Sequence, residues 1–130
     1  MITDIAFIIC GFVGAGIILI GGFYVLAPQV IAGGFGIPAE PPEAVIRPVG
    51  LRPWLQVKGV RDIGSGIFIG ILLANRSPHL LGAFMAAASL IAIGDALIVL
   101  RSGGPRTTAM GVHGATAAVM LAASAALLLA

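Results

Sequence analysis

Lys58, Arg61, Asp62, Asp95 and His113 are the residues of this chain whose types and spacing suit chemistry, because each stands inside a long apolar run. An Arg, Lys or Asp at the centre of a membrane helix costs roughly 2.5 to 3.5 kcal/mol even on insertion scales, so such groups need partners. The steps from Lys58 to Arg61 and from Lys58 to Asp62 are i, i+3 and i, i+4, which puts all three on one helix face. Ser65 extends that face by one turn, and the face should point into a bundle. Two cations then meet two anions, and with His113 uncharged the set is neutral, as a low-dielectric setting demands.

A histidine beside a carboxylate in a dry pocket is suited to acid-base work, so Asp95 and His113 are the expected catalytic residues. Lys58 and Arg61 would bind or polarise a substrate oxygen, with Asp62 holding Arg61 in place. Tyr24 and Ser65 are further candidates for the lining, whose plainer roles are an interfacial anchor and a small packing residue. The same charges also describe a structural clasp, a hydrogen-bonded network that ties two helices together. No metal is expected, since one histidine and two carboxylates beside two cations suit a divalent ion poorly. No cofactor is expected either. Ser65, Ser89 and Ser124 lie in ordinary helical sequence without a nucleophile elbow, and Cys10 starts from the opposite face. His79 falls at the other membrane face, as a solvated interfacial residue.

The elements that must position these groups are membrane helices. Of the 130 residues 59% are hydrophobic and only 9% charged, and the mean hydropathy is +1.13, too little polar surface to coat a soluble core of this size. The expected fold is all-α, one integral membrane four-helix bundle filling residues 1–130, with spans of about 5–27, 55–74, 78–100 and 108–129. The first run carries Asp4 and no Lys or Arg before it, and its small-residue end meets Pro28, which favours a retained helix over a cleaved signal. Residues 28–54 form a long Pro/Gly-rich loop whose composition opposes helix, and whose apolar residues suggest that it lies on the membrane or folds over the bundle as a lid. Trp54 would anchor it at the headgroups. The connections at 75–77 and 101–107 are short, so the second, third and fourth spans should be antiparallel neighbours.

Asp62 lies eight residues past Trp54, Asp95 six before Arg101 and His113 seven beyond Arg106. At about 1.5 Å per residue all three fall roughly 9 to 12 Å inside the same membrane face, beneath the proline-rich loop, and Tyr24 reaches that level. Arg47, Arg52, Arg101 and Arg106 share that side and Arg76 stands on the other, so the positive-inside rule puts both termini outside the cytoplasm. Glycines within the spans, among them the Gly66 and Gly70 pair, offer faces for close helix packing inside the chain or in a homo-oligomer. The net charge of +2 forms no basic stripe, which leaves no support for nucleic-acid binding, and the single cysteine excludes an internal disulfide.

Lys58-Gly59-Val60-Arg61-Asp62 followed by Gly64, then Gly94-Asp95-Ala96, then Gly111-Val112-His113-Gly114-Ala115, resembles a family of small four-span membrane proteins of unknown function found in bacteria and fungi. The resemblance covers most of the chain. It implies a shared topology and polar core and carries no activity, substrate or cofactor with it. The residues themselves point to a membrane-embedded enzyme that isomerises or cyclises a lipophilic small molecule by acid-base catalysis. A proton-coupled small-solute transporter and a non-catalytic scaffold or accessory subunit are the alternatives, with the lipid bilayer as surroundings in every case. The leaflet toward Arg76, lined almost wholly by apolar residues, argues against transport.

Overall fold

The computed structural model of the protein describes residues 1–37 and 51–129. The described residues form four long helices, α1 (Ile2–Leu26), α3 (Leu51–Ala74), α4 (Pro78–Arg101) and α5 (Arg106–Leu128), with the single-turn α2 (Pro28–Ile31) after the first. There is no strand among the described residues. α1, α4 and α5 are long and apolar enough to cross a membrane. α3 matches them in length at 24 residues but carries Lys58, Arg61 and Asp62.

Prolines set several boundaries. Pro28 and Pro78 open α2 and α4 at first-turn positions, where the missing N–H would have had no helical partner. Pro53 stands in the first turn of α3 for the same reason, so this helix begins at Leu51, four residues ahead of the expected start. The segment expected to be loop is thus partly helical: α2 leads directly into a 3-10 turn at Ala32–Phe35, which ends at Gly36 with φ 89°. The remaining loop residues, including Arg47, Val45, Ile46 and the prolines between 38 and 48, lie outside the described residues.

α1 and α3 pack antiparallel and very closely. Gly21 faces Gly59 and Gly14 faces Gly66, so glycines seven residues apart on each helix meet at two levels. A side chain on Gly21 would come within 2.6 Å of the Gly59 carbonyl oxygen, and the reverse contact is equally short. Within the chain Gly66 abuts α1, whereas a side chain on Gly70 would meet nothing within 4 Å. Gln56 adds a hydrogen bond from Nε2 to the Val25 carbonyl across this interface, at 3.1 Å.

α4 and α5 form the second close pair, joined where Ser124 Oγ donates to the Gly82 carbonyl at 2.7 Å. α3 and α4 are adjacent in the chain, yet their packing is slight compared with that of either pair, and they meet through the Phe68 and Phe84 rings near their connecting turn. The antiparallel neighbours are therefore chiefly α1 with α3 and α4 with α5, because the glycine contacts and the interhelical hydrogen bond lie there. Towards the termini the four helices close on a dry core of Ala6, Cys10, Ile69, Leu81, Met85, Met120, Ala123 and Leu127. The other half of the bundle is less tightly filled, and the polar residues lie there.

Candidate functional site

Four helices converge on a cavity of about 250 Å³ in the half of the bundle away from the termini. α3 turns Lys58, Asp62, Ser65 and Ile69 into it, residues spaced three or four apart on one stripe. α4 contributes Asp95 with Ala88, Ile91 and Ala92, and α1 contributes Tyr24 with Ile17 and Ile20. α5 presents Val112, His113, Thr116 and Met120, while Ile31, Gly34 and Phe35 cover the end. Ionisable groups gather beneath Phe35 and the rest of the wall is apolar. Ile20, Ile91 and Val112, at 45%, 46% and 51% exposure, stand on the rim, so the cavity opens through the sides of the bundle.

Lys58 is the hub of the polar end. Its Nζ donates to Asp62 Oδ2 at 2.8 Å, lies 3.9 Å from Asp95 Oδ2, and sits 5.1 Å from the centroids of both the Tyr24 and Phe35 rings. His113 Nδ1 approaches the same Asp95 oxygen at 4.0 Å. Both approaches to Asp95 are too long for a hydrogen bond, yet two groups about 4 Å apart can share a third atom placed about 2.8 Å from each. The polar end therefore gathers the Lys58 ammonium and His113 Nδ1 about 4 Å from one Asp95 oxygen.

His113 lies in a π-helical stretch, Ala109–Gly114, a widened turn that recurs at functional sites. Its Nε2 is 3.1 Å from the Phe35 carbonyl oxygen, and its ring tilts against the Phe35 ring at 4.7 Å. A carbonyl oxygen only accepts, so Nε2 carries the hydrogen and Nδ1 faces Asp95. Gly36 makes this arrangement reachable. Its positive φ turns the chain back immediately after Phe35, and a side chain there would meet Thr108 Cγ2 at 2.7 Å.

Six of the seven residues expected at the site line this cavity: Lys58, Asp62, Asp95, His113, Tyr24 and Ser65. Arg61 does not. It is exposed on the outer side of α3, and Asp62 is paired with Lys58, so the expectation that Asp62 holds Arg61 is corrected. The i, i+4 step favours Lys58 because it follows the interior stripe, whereas Arg61 is rotated towards the helix flank. Ser65 Oγ donates to the Arg61 carbonyl at 3.0 Å. Phe35 was not expected at the site, although an aromatic residue between Gly34 and Gly36 was a readable sign of a turn with a buried purpose. Cys10 lies in the dry half and His79 is exposed at the far end. Among the described residues no three His, Cys, Asp or Glu side chains are placed to hold a metal ion.

With Arg61 outside, the charged groups lining the cavity are one ammonium and two carboxylates. No buried side-chain nitrogen or oxygen among the described residues lacks a hydrogen-bond partner. No curated protein and no solved structure matches the chain. The family model described as a domain of unknown function (DUF4267) matches residues 14–128, which takes in every helix that lines the cavity, and the chain belongs to that family.

Proposed function

We propose that this protein is a four-span membrane enzyme, one domain over residues 1–130, that takes a lipophilic small molecule from the bilayer and isomerises or cyclises it by acid-base catalysis without a cofactor. The observation that carries this reading is the make-up of the cavity, an apolar chamber open sideways with Asp95 and His113 gathered at one end. α3 serves as the fourth span. Its 24 residues reach about 36 Å, and its Lys58 and Asp62 charges are turned into the cavity. Exposed Arg52, Arg101 and Arg106 gather at the cavity end against Arg76 at the other, so both termini lie on the extracytoplasmic side.

In an isomerisation, Lys58 and the Nδ1–H of His113 donate to a substrate oxygen while Asp95 Oδ2 removes a proton from a neighbouring carbon. The electron pair of the broken C–H bond moves towards the oxygen, and the proton returns at a different carbon. Electrons and atoms balance within the substrate, so no oxidant or metal enters. Exclusion of water by the apolar wall strengthens each of these interactions.

The test is exchange of solvent hydrogen. The protein, reconstituted in lipid nanodiscs, is incubated in deuterium oxide with a neutral-lipid extract of the membranes in which it is expressed, and mass spectrometry follows deuterium uptake. Uptake by one extract component is expected, lowered about a hundredfold or more by Asp95→Asn and by His113→Ala. Uptake unchanged in both variants removes the catalytic assignment.

A clasp is the second reading, favoured by the reach of Lys58 to carboxylates on two helices at 2.8 and 3.9 Å. Under it the same variants lose thermal stability and no extract component exchanges. The transporter reading is weakened by the dry packing around Cys10, Leu81 and Leu127, which offers no polar path to the second face.

A further inference from the structure

We infer that the cavity selects an uncharged lipophile of about ten to fifteen non-hydrogen atoms that carries a carbonyl, and that it rejects fatty acids and other anionic amphiphiles. This rests on the reading of the cavity as a ligand site and names the class of its ligand.

Size is the first constraint. A dry cavity of about 150 Å³ accepts benzene, so the 250 Å³ here encloses a molecule roughly 1.7 times as large, and most of a two-chain phospholipid would lie outside it. Charge is the second. With Arg61 on the outer side of α3, the charged groups of the lining are Lys58 against Asp62 and Asp95, joined by His113. A carboxylate brought into that set adds a third anion to a single ammonium in a low-dielectric space, where an unbalanced charge is strongly unfavourable.

An ammonium headgroup meets the charge count but not the geometry. The space between the Tyr24 and Phe35 rings is already taken by Lys58 Nζ, 5.1 Å from each, and an ammonium has no lone pair to accept from it. Lys58 Nζ gives one of its three N–H groups to Asp62 and stands 3.9 Å from Asp95, so it keeps donor capacity for a bound oxygen. A carbonyl oxygen accepts such an N–H without adding charge. The remainder of such a molecule lies against Ile17, Ile69, Ile91 and Met120, reached sideways from the bilayer.

Cys10 provides the readout. It is the only cysteine, is fully buried and lies in the half of the bundle away from the cavity, so a fluorogenic thiol reagent reports unfolding without competing for the site. Methyl nonyl ketone, decanoate and undecylamine, each of about twelve non-hydrogen atoms, are added to the reconstituted protein. Saturating ketone should raise the melting temperature by about 5 °C, and the other two by less than about 1 °C. Asp95→Asn, which removes one anion, should let decanoate stabilise the protein. Ala92→Phe should abolish the ketone response by filling the chamber, and Ala88→Leu on the same wall serves if that variant does not fold.

Stabilisation of the wild-type protein by decanoate or undecylamine as large as that by the ketone overturns the inference. So does a ketone response that survives both wall variants, or the absence of any response. Ketone binding without deuterium exchange on any extract component removes the catalytic reading alone, and exchange on a carboxylic acid removes the selectivity alone.

Discussion

Adding one methyl group at Gly21 should force α1 and α3 apart and disturb the site that they hold between them. The new carbon would stand 2.6 Å from the Gly59 carbonyl oxygen and 2.9 Å from both the backbone nitrogen and Cγ1 of Ile63. Ordinary contact starts near 3.4 Å, so the helices must separate by about 0.8 Å. Two of the three obstructing atoms are backbone, and no change of side-chain rotamer relieves them. The nearby Gly14 and Gly66 contact loosens with the same movement. Overpacking of this kind costs about 1–3 kcal/mol. The better helix propensity of alanine offsets little of it, because the helices remain helical in lipid whether or not they are packed together. Gly16→Ala is the control, since a carbon there meets nothing within 4 Å, and it should change stability by less than about 0.5 kcal/mol. Thermal exposure of Cys10 to a thiol reagent measures both. Lys58 precedes Gly59 directly and Tyr24 lies one turn beyond Gly21, so Gly21→Ala should also lengthen the 5.1 Å approach of the ammonium to the Tyr24 ring. Equal melting temperatures for Gly21→Ala and Gly16→Ala would refute the close glycine interface.

Lys58→Met strips Asp62 and Asp95 of their shared cation and should destabilise the protein by about 2–4 kcal/mol. Adding Asp62→Leu should recover part of that loss, and a double variant no more stable than the single one speaks against the pair. Gly36→Ala places a side chain at φ 89° and against Thr108, so it should shift the Phe35 turn and free His113 Nε2. Nitrogen NMR of the imidazole checks this, and an unchanged Nε2–H tautomer population contradicts the anchoring role of the Phe35 carbonyl. For orientation, Asn75→Cys in a Cys10→Ala background should react from outside with a membrane-impermeant maleimide, whereas Ser102→Cys should react only after permeabilisation. The opposite pattern reverses the topology.

Much of the helical architecture was legible in the sequence because lipid leaves a chain few options. Backbone groups in hydrocarbon must bond within their own segment, so apolar runs of about twenty residues read as helices and their boundaries fall at Pro28, Ser77 and Gly103. The 3.6-residue period likewise places Lys58, Asp62 and Ser65 on one stripe by spacing alone. Counting residues from the ends of each run set Asp62, Asp95 and His113 at one depth, because helical rise is nearly constant.

Periodicity along one helix does not say which partner that helix meets, and there the sequence stopped. The Gly14, Gly21, Gly59 and Gly66 contacts depend on two helices separated by a long connection, and four glycines with ordinary spacing give no sign of one another. Arg61 and Lys58 are only three residues apart, yet the flank on which α3 meets α1 turns one outward and the other into the cavity. That rotation alone changed the charge count of the site. The hydrogen bond from His113 to the Phe35 carbonyl joins residues far apart in sequence through a glycine-bounded turn and a π-helical stretch. Sequence determined the helices, the depth and the types of the polar groups, all of which follow from local geometry and the cost of charge in lipid. Tertiary structure alone decided which of those groups share a cavity, because that depends on how closely pairs of helices approach and how each is turned about its axis.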